Sequence, residues 1–368
     1  MRVTRVNNKR KLRKFINLPH EIYEDYPFWI PPLIFNEKKL IKKGSSIMDD
    51  DREFFIVLDG PQPIARLAVY TKRHSVKAKP NGYFTLFESY NDEVAVKMLF
   101  AMADSWFMMR KISNYSGPES YINGDDYKGL LVNNFNDYPY INMPYNPPYY
   151  KELLKLKNLR KIHSFANFHF NLEDGVPDSL EKLVGYSKNR FDYRIEPHDL
   201  SDIEVFSKEI LYIIDNSLPD TGEGMRVLTY ENIRDYFLQL KKYLDKELFA
   251  VAYHKNQPIG FSAAIPNYNE IFIDHKTKIS LIRRLRFLIY KNKVRSLRIF
   301  NVAVVKEFQK KGVSHALHLH IVKNAMNKGY KDLEGGPINF DNRRSFQDAI
   351  KAGGNPYKEY ALYKRIIK

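Results

Sequence analysis

A chain of 368 residues with 44% hydrophobic and 28% charged side chains is long enough for about two domains and has the composition of a globular protein, not a disordered one. It contains no cysteine, which excludes disulfides, thiolate metal sites and a cysteine acyl-enzyme, and fits a reducing compartment. Lys and Arg number 59 against 43 Asp and Glu, and the resulting charge of +16 attracts phosphates, acidic proteins, anionic lipid or nucleic acid without choosing among them.

The basic start MRVTRVNNKRKLRKFI is followed by only a short apolar run before Pro19, so no signal sequence is expected. No apolar run approaches the roughly 20 residues of a membrane span. A cytoplasmic protein is expected, with a peripheral place at the inner membrane face as the other option. The stretch FFIVLDGPQPIARLAVY (54–70) reads as a hairpin, two apolar runs around a short polar turn. A long helical pattern follows in DEVAVKMLFAMADSWFMMRKI (92–112), then NYSGPES (114–120), a strand ending in Gly-Pro. The segment FNDYPYINMPYNPPYY (135–150) is rich in Tyr and Pro, and YYKELLKLKNLRKIHSFANFHF (149–170) reads as a helix and an aromatic strand.

The same order then returns. LFAVAYHKNQPIGFSAAIP (248–266) is a second hairpin, again turning near Gln-Pro-Ile; VSHALHLHIVKNAMNKGY (313–330) is helical; DLEGGPIN (332–339) repeats the strand with Gly-Pro; RSFQDAIKAGGNPYKEYALYKRI (344–366) repeats helix and strand. A β-β-β-α-β-α-β unit occurring twice predicts an α/β protein with mixed sheets, built as two tandem domains around a central cleft. Their expected limits are 1–175 and 190–368, joined by a Gly-, Pro- and charge-bearing linker at 176–189.

Between strand and helix in the second half stands VAVVKEFQKKGVSHAL (302–317). A helix start leaves backbone N–H groups without partners and adds the positive end of the helix dipole; a glycine lets the preceding turn aim its amides at one point. With Lys310 and Lys311 beside it, the turn suits a diphosphate. Neither P-loop nor dinucleotide-fingerprint spacing is present.

Strand, Gln309-x-x-Gly312-x-Ser314, helix resembles the pyrophosphate-binding motif of the GNAT superfamily of CoA-dependent acyltransferases. That resemblance implies a CoA thioester held by Val302, Val304, Gln309, Lys310, Lys311, Gly312, Val313 and Ser314, with Asn342 matching an asparagine that opens the family's next helix. The family's thiolate-protonating tyrosine falls on Ala349 here, and its Gly-Phe ending on Gly353-Gly354. The first half has Asp92 and Glu93 at the equivalent helix start, which would repel a diphosphate, so only the second half is expected to bind CoA. The stretches GLLVNNFNDYPYINMPYNPPYYKELL and GGPINFDNRRSFQDAIKAGGNPYKEYALYKRI resemble a bacterial tandem-GNAT group that includes the bacterial ceramide synthases. The resemblance implies acyl transfer from a thioester to the amine of a long-chain base.

Such a transfer needs a neutral nitrogen, a stabilised oxyanion and a proton for sulfur. Glu334, on the strand into Gly335-Gly336-Pro337, is the candidate base, directly or through water, with a structural ion pair as its other reading. Tyr357 and Tyr360 are the candidate acids, and alternating aromatics in a terminal strand also simply pack. A backbone N–H near Val302 and Val304 is the candidate oxyanion partner. Asn123, Tyr145, Asn146 and Asn339 are candidate substrate-pocket residues. His315, His318 and His320 do not share one helix face, so no metal is expected. No Gly-x-Ser-x-Gly elbow is present.

The insert 278–299 clusters Leu281, Ile282, Leu285, Leu288 and Ile289 at helical spacing, flanked by Arg283, Arg284, Arg286 and Lys291. It either docks on the protein's own core with its basic groups snorkelling outward, the reading favoured by base rates, or lies on an anionic membrane. The expected partners are an acyl thioester, on CoA or alternatively on an acidic acyl carrier protein, and an amine; an anionic membrane joins them only if the insert lies on one. Acetyl transfer to a small amine or peptide, and non-catalytic binding of a lipid surface or nucleic acid, are the alternatives.

Overall fold

The computed structural model describes residues 1–32, 51–72, 80–120, 126–156, 158–198, 201–217, 229–273 and 280–367. The chain divides into two units: unit 1 is Met1–Phe165 with Lys358–Lys368, and unit 2 is Ala166–Tyr357.

Unit 1 begins with β1 (Arg2–Arg5) and α1 (Lys9–Ile22), followed by β2 (Arg52–Asp59), β3 (Gln62–Lys72) and β4 (Asn81–Ser89). Then come α2 (Glu93–Met108), β5 (Asn114–Gly117), β6 (Leu130–Leu131) and α3 (Tyr150–Lys155). Strands β1 to β4 pair antiparallel in chain order, and β4 and β5 pair parallel at Gly82–Tyr83 and Tyr115–Ser116. Beneath them Phe55, Val57, Leu67, Val69 and Phe84 bury against Leu99, Phe100, Ala103 and Phe107 of α2, an apolar stripe at helical spacing on a pleated face.

A long strand, β7 (Arg160–Asn171), runs from unit 1 into unit 2. It is followed by α4 (Asp178–Phe191), β8 (Arg194–Pro197), α5 (Ile203–Ser217), α6 (Tyr230–Leu240), β9 (Phe249–His254) and β10 (Gln257–Pro266). The remaining elements are α7 (Ser280–Tyr290), β11 (Ser296–Val304), α8 (Val313–Asn327), β12 (Asp332–Asn339), α9 (Arg343–Lys351) and β13 (Asn355–Ile366). Within unit 2 the strand order is β7-β12-β11-β10-β9-β8. The repeat is real: β2-β3-β4-α2-β5-α3-β7 and β9-β10-β11-α8-β12-α9-β13 follow one plan. From Lys358 onward β13 belongs to unit 1, where Tyr363–Ile366 pair antiparallel with Gly117–Asn114 of β5.

Two expectations change here. The linker placed at 176–189 is mostly helix α4, and the divisions between the units fall inside β7 and β13 instead. Gly175, at φ 78°, and Pro177, at the cap position, punctuate a helix start, with Asp178 and Glu181 in its first turn. The insert does form a helix, α7, but the aliphatic residues of that helix whose side chains are described do not dock on the core. Ile282, Leu285, Leu288 and Ile289 are exposed, while Arg283 and Arg286 turn inward. The side chains of Leu281 and Arg284 lie outside the described residues.

Candidate functional site

In unit 2 the turn into α8 is shaped by two left-handed residues, Lys310 at φ 63° and Gly312 at φ 79°. A side chain at 312 has no room, since an added Cβ would lie 2.5 Å from Ser187 Oγ. Ser187, buried on α4, donates its hydroxyl to the Lys311 carbonyl and lies 2.6 Å from the Tyr193 hydroxyl. The supposed linker thus braces the turn from behind. No side chain caps α8, and the first backbone bond to its start runs from Ala316 N–H to Gly312 C=O at 3.0 Å. The amides of Gly312, Val313 and Ser314 consequently have no acceptor among the described residues. Three donors at the positive end of a helix dipole form an anion cradle.

Lys310 is exposed, and Lys311 holds its ammonium 4.8 Å from the Phe308 ring and 5.4 Å from that of Phe191. Gln309 has a different task from the one expected of it. Its side-chain amide donates to Val304 C=O at 3.0 Å and Ser217 C=O at 2.9 Å, tying β11 to the end of α5. Val313 is buried, so its side chain belongs to the core and only its N–H faces the turn.

Strand β11 pairs with β10 along its length up to Val304, but with β12 only from Ser296 to Arg298, against Asp332 to Glu334. Past that point the two parallel strands part. A register shift opposite Ala263 and Ala264 leaves Phe300 without a counterpart and bends β11 at the opening. Between Ile299 and Val304 one strand edge is unpaired within the sheet, and Val302 is 45% exposed there. A free edge offers N–H and C=O groups to an extended ligand.

At the closed end of the opening Arg298 and Glu334 are both 0% exposed, with Nε and Oε1 3.5 Å apart, an ion-pair distance and not a hydrogen bond. The half-buried Tyr357 donates its hydroxyl to Glu334 Oε2. His169 stacks edge-on to the Tyr357 ring and meets Asp332 Oδ1 at 2.9 Å. Asn167, fully buried, has no hydrogen-bond partner on either side-chain amide atom, and its Oδ1 lies 3.3 Å from where a Gly336 Cβ would stand. Sequence reasoning missed Arg298, Asn167 and Ser187. The one available signal was an asparagine interrupting the aromatic run SFANFHF.

The other candidates separate. Asn342 caps α9, its Oδ1 accepting the Ser345 N–H at 3.2 Å. Asn339 closes a turn, accepting the Asp341 N–H on Oδ1 at 2.9 Å. Tyr360 belongs to unit 1, where it is buried with Leu131 and Met143; a spacing of three along a strand puts it on the face opposite Tyr357.

Tyr145 and Asn146 line a cavity of about 100 Å³ in unit 1 that also presents Tyr23, Arg66, Glu88 and Tyr150. Asn146 spends its amide on both backbone groups of Leu131. Tyr145 donates to Phe135 C=O at 3.0 Å, and burial pushes its pKa up to about 12. Glu88 accepts from Tyr23 at 2.7 Å and from Tyr150 at 2.8 Å. Asn123 lies outside the described residues. In unit 1 the helix start equivalent to that of α8 is closed by its own carboxylate, Asp92 accepting the Ala95 N–H at 2.8 Å.

The histidines of α8 are not gathered as ligands. His315 faces Asp348 at 3.9 Å, His320 bonds Asn324 at 3.1 Å, and burial lowers the His318 pKa to about 4, helped by the nearby His315 charge. His318 is neutral in the folded protein but protonates near its ordinary value of 6.5 once unfolded. Its contribution is fully present above that value and is lost as pH falls toward about 4, because the unfolded chain alone takes up the proton. His318→Leu should flatten this decline, read as urea midpoints from neutral pH down to about 4. An unchanged slope would exclude His318 as its source.

No protein-family model matches the chain. It is 24% identical over 374 residues to Protein YghO of Escherichia coli (strain K12), spanning 98% of this chain and 94% of that protein. It is 22% identical over 379 residues to Bacterial ceramide synthase of Caulobacter vibrioides (strain NA1000 / CB15N), spanning 98% and 96%. Among solved structures, a tandem GNAT protein from the clavulanic acid biosynthesis pathway superposes with a TM-score of 0.56 over 99% of this chain and 98% of its own, at 10% identity. The chain has the tandem GNAT fold.

A GCN5-related glucosamine N-acetyltransferase region of a fungal multi-domain β-N-acetylglucosaminidase superposes with a TM-score of 0.59 at 12% identity, and here the chain spans 38% of the other protein's length. Within this tandem GNAT chain the helix start with open amides lies in the second unit, and the equivalent start in the first is capped. Among the described residues no helix is long and apolar enough to cross a membrane.

Proposed function

We propose that this tandem GNAT protein moves an acyl group from a CoA thioester to the amine of a long-chain base, with unit 2 as the thioester-binding unit. The observation that carries the reading is the pairing of open amides at Gly312–Ser314 with the unpaired edge of β11 in the same unit. The diphosphate of CoA would take the amides, with Lys310 as a long-range attractor, and the pantetheine arm would extend along β11 past Val304 and Val302. Unit 1 is the unit without CoA, its helix start closed by Asp92. The full-length likeness to a ceramide synthase supports a lipid amine as acceptor.

The amine nitrogen attacks the thioester carbon, and the oxyanion meets an N–H of β11. The C–N bond forms and the C–S bond breaks. The proton leaving nitrogen passes through water to Glu334, while Tyr357 gives its own to sulfur and is restored from Glu334. Glu334 reaches the reacting atoms only through others, because it is fully buried, which makes it a positioning and relay residue; Tyr357 is the accessible member. Tyr357→Phe should lower kcat by about a hundredfold with KM little changed, as loss of a general acid does. The steep arm of the pH profile should go with it; an unchanged profile would remove Tyr357 from proton transfer.

The test of the function is product analysis by mass spectrometry after incubation with a long-chain acyl-CoA and a sphingoid base, and in parallel with acetyl-CoA and small amines. An N-acylated long-chain base is the expected product. Turnover of acetyl-CoA on small amines alone would favour the acetyltransferase reading. An acidic acyl carrier protein is a second possible donor, suited to the +16 surface, and acyl carrier and CoA thioesters of equal chain length compare the two directly.

A further inference from the structure

A helix turns 100° per residue, so Ile282, Leu285, Leu288 and Ile289 of α7 fall within an arc of about 120°. They are 43%, 52%, 64% and 62% exposed. The opposite arc anchors the helix. Phe287 packs against Tyr243 and Tyr268 with ring centroids 5.2 Å and 4.9 Å away. The Arg286 guanidinium donates to Ile271 C=O at 3.0 Å, and that of Arg283 lies over the Phe272 ring at 4.7 Å. A helix of a water-soluble protein buries its aliphatic stripe and exposes its arginines; among the described side chains of α7, Ile282, Leu285, Leu288 and Ile289 face out while Arg283 and Arg286 turn inward. A contiguous aliphatic patch held outward in this way marks a surface that meets a partner.

The charged groups around the helix say which. Lys291 and Lys293 are exposed directly beyond the helix, and Lys241 and Lys242 are exposed beside Tyr243, against which Phe287 packs. The carboxylates of this region are committed elsewhere. Asp245 and Glu247 hold Lys328 at 2.6 Å and 2.7 Å, and Glu270 accepts the backbone N–H groups of Arg295 and Ser296. Aliphatic residues on the outer arc, with exposed lysines after the helix and beside its anchored arc, match the boundary between anionic headgroups and acyl chains. A second copy of this chain would set two basic surfaces against each other, which like-charge repulsion disfavours. We infer that α7 is a docking face for an anionic lipid bilayer, lying in the plane of the membrane surface. At 11 residues, about 16 Å, it cannot span one.

This inference stands apart from the acyl-transfer reading, and the full-length chain tests it by co-sedimentation with vesicles, in the absence of thioester and amine. The probes are vesicles of two parts phosphatidylcholine to one part phosphatidylglycerol, and vesicles of phosphatidylcholine alone. Binding to the mixed vesicles is expected, weakening with salt and much reduced without the anionic lipid. The double variant L285D/L288D should bind at least about tenfold more weakly, since two aliphatic contacts become charges. K291E/K293E should lose about fivefold or more for each charge. All four positions are exposed, and a thermal melt checks folding; if L285D/L288D does not fold, K291E/K293E carries the test.

The idea is overturned if the native chain stays in the supernatant with both vesicles, or if a correctly folded L285D/L288D binds as the native chain does. Light scattering that shows a dimer which L285D/L288D separates would assign the face to a second copy instead. Gly312→Glu should leave vesicle binding intact, so failure at α7 and failure at the thioester site are distinguishable.

Discussion

Replacing Gly312 with glutamate should abolish measurable CoA binding. The backbone there sits at φ 79°, where an L side chain is strained, and the new Cβ would press on Ser187 Oγ. The carboxylate would stand among the amides that would otherwise take a diphosphate. Losing two charge-assisted N–H bonds at about 1.5–3 kcal/mol each corresponds to roughly a 10²- to 10⁴-fold loss in affinity. Isothermal titration with CoA measures this. Lys310→Glu serves as its companion, because Lys310 is exposed and its replacement should not disturb the turn. Its loss should be smaller and should shrink as salt is raised. Native-like CoA affinity in both folded variants would place the thioester elsewhere.

The second large effect is expected at the buried pair. Arg298→Met leaves the Glu334 carboxylate without its cation at 0% exposure, and removing one partner of a buried ion pair costs about 3–5 kcal/mol. The double variant R298M/E334L removes both charges and should recover most of that stability, since an apolar pair of similar volume is often as stable as the ions it replaces. Urea unfolding of the native chain, R298M, E334L and the double variant, four proteins in all, measures the non-additivity. Activity gives the complementary readout: if the pair serves proton transfer through Tyr357, the double variant regains stability without turnover. Full recovery of both would make the pair purely structural.

The sequence and the structure part company at instructive places. The strands, the two central helices and the repeat were legible because each carries a strong local signal. Phe55 and Val57 alternate along a strand, Leu99, Phe100, Ala103 and Phe107 fall on one helical stripe, and Gly312 stands where only a glycine fits. The cradle was legible for the same reason, since its donors are backbone groups placed by local geometry. Its support was not. Ser187 lies 125 residues before Gly312, and no local pattern links a serine on one helix to a carbonyl at the start of another. The Arg298–Glu334 pair depends on parallel register between two strands separated by a helix, which sequence spacing does not encode. Gln309 fitted a motif by position, yet its side chain braces the fold. In α7 the periodicity gave the helix correctly, but an amphipathic pattern does not say which side faces water.

The chain passes between the units inside β7 and again at Lys358, so the last strand of unit 1 is made from the last residues of the sequence. During synthesis, β1 to β5 emerge well before the segment from Lys358 onward, and β5 has no partner on its far edge until that segment has been translated. Unit 1 is therefore completed only after unit 2 has been made. Severing the gene at the boundary its composition advertises, near residue 176, would leave unit 1 without its closing strand.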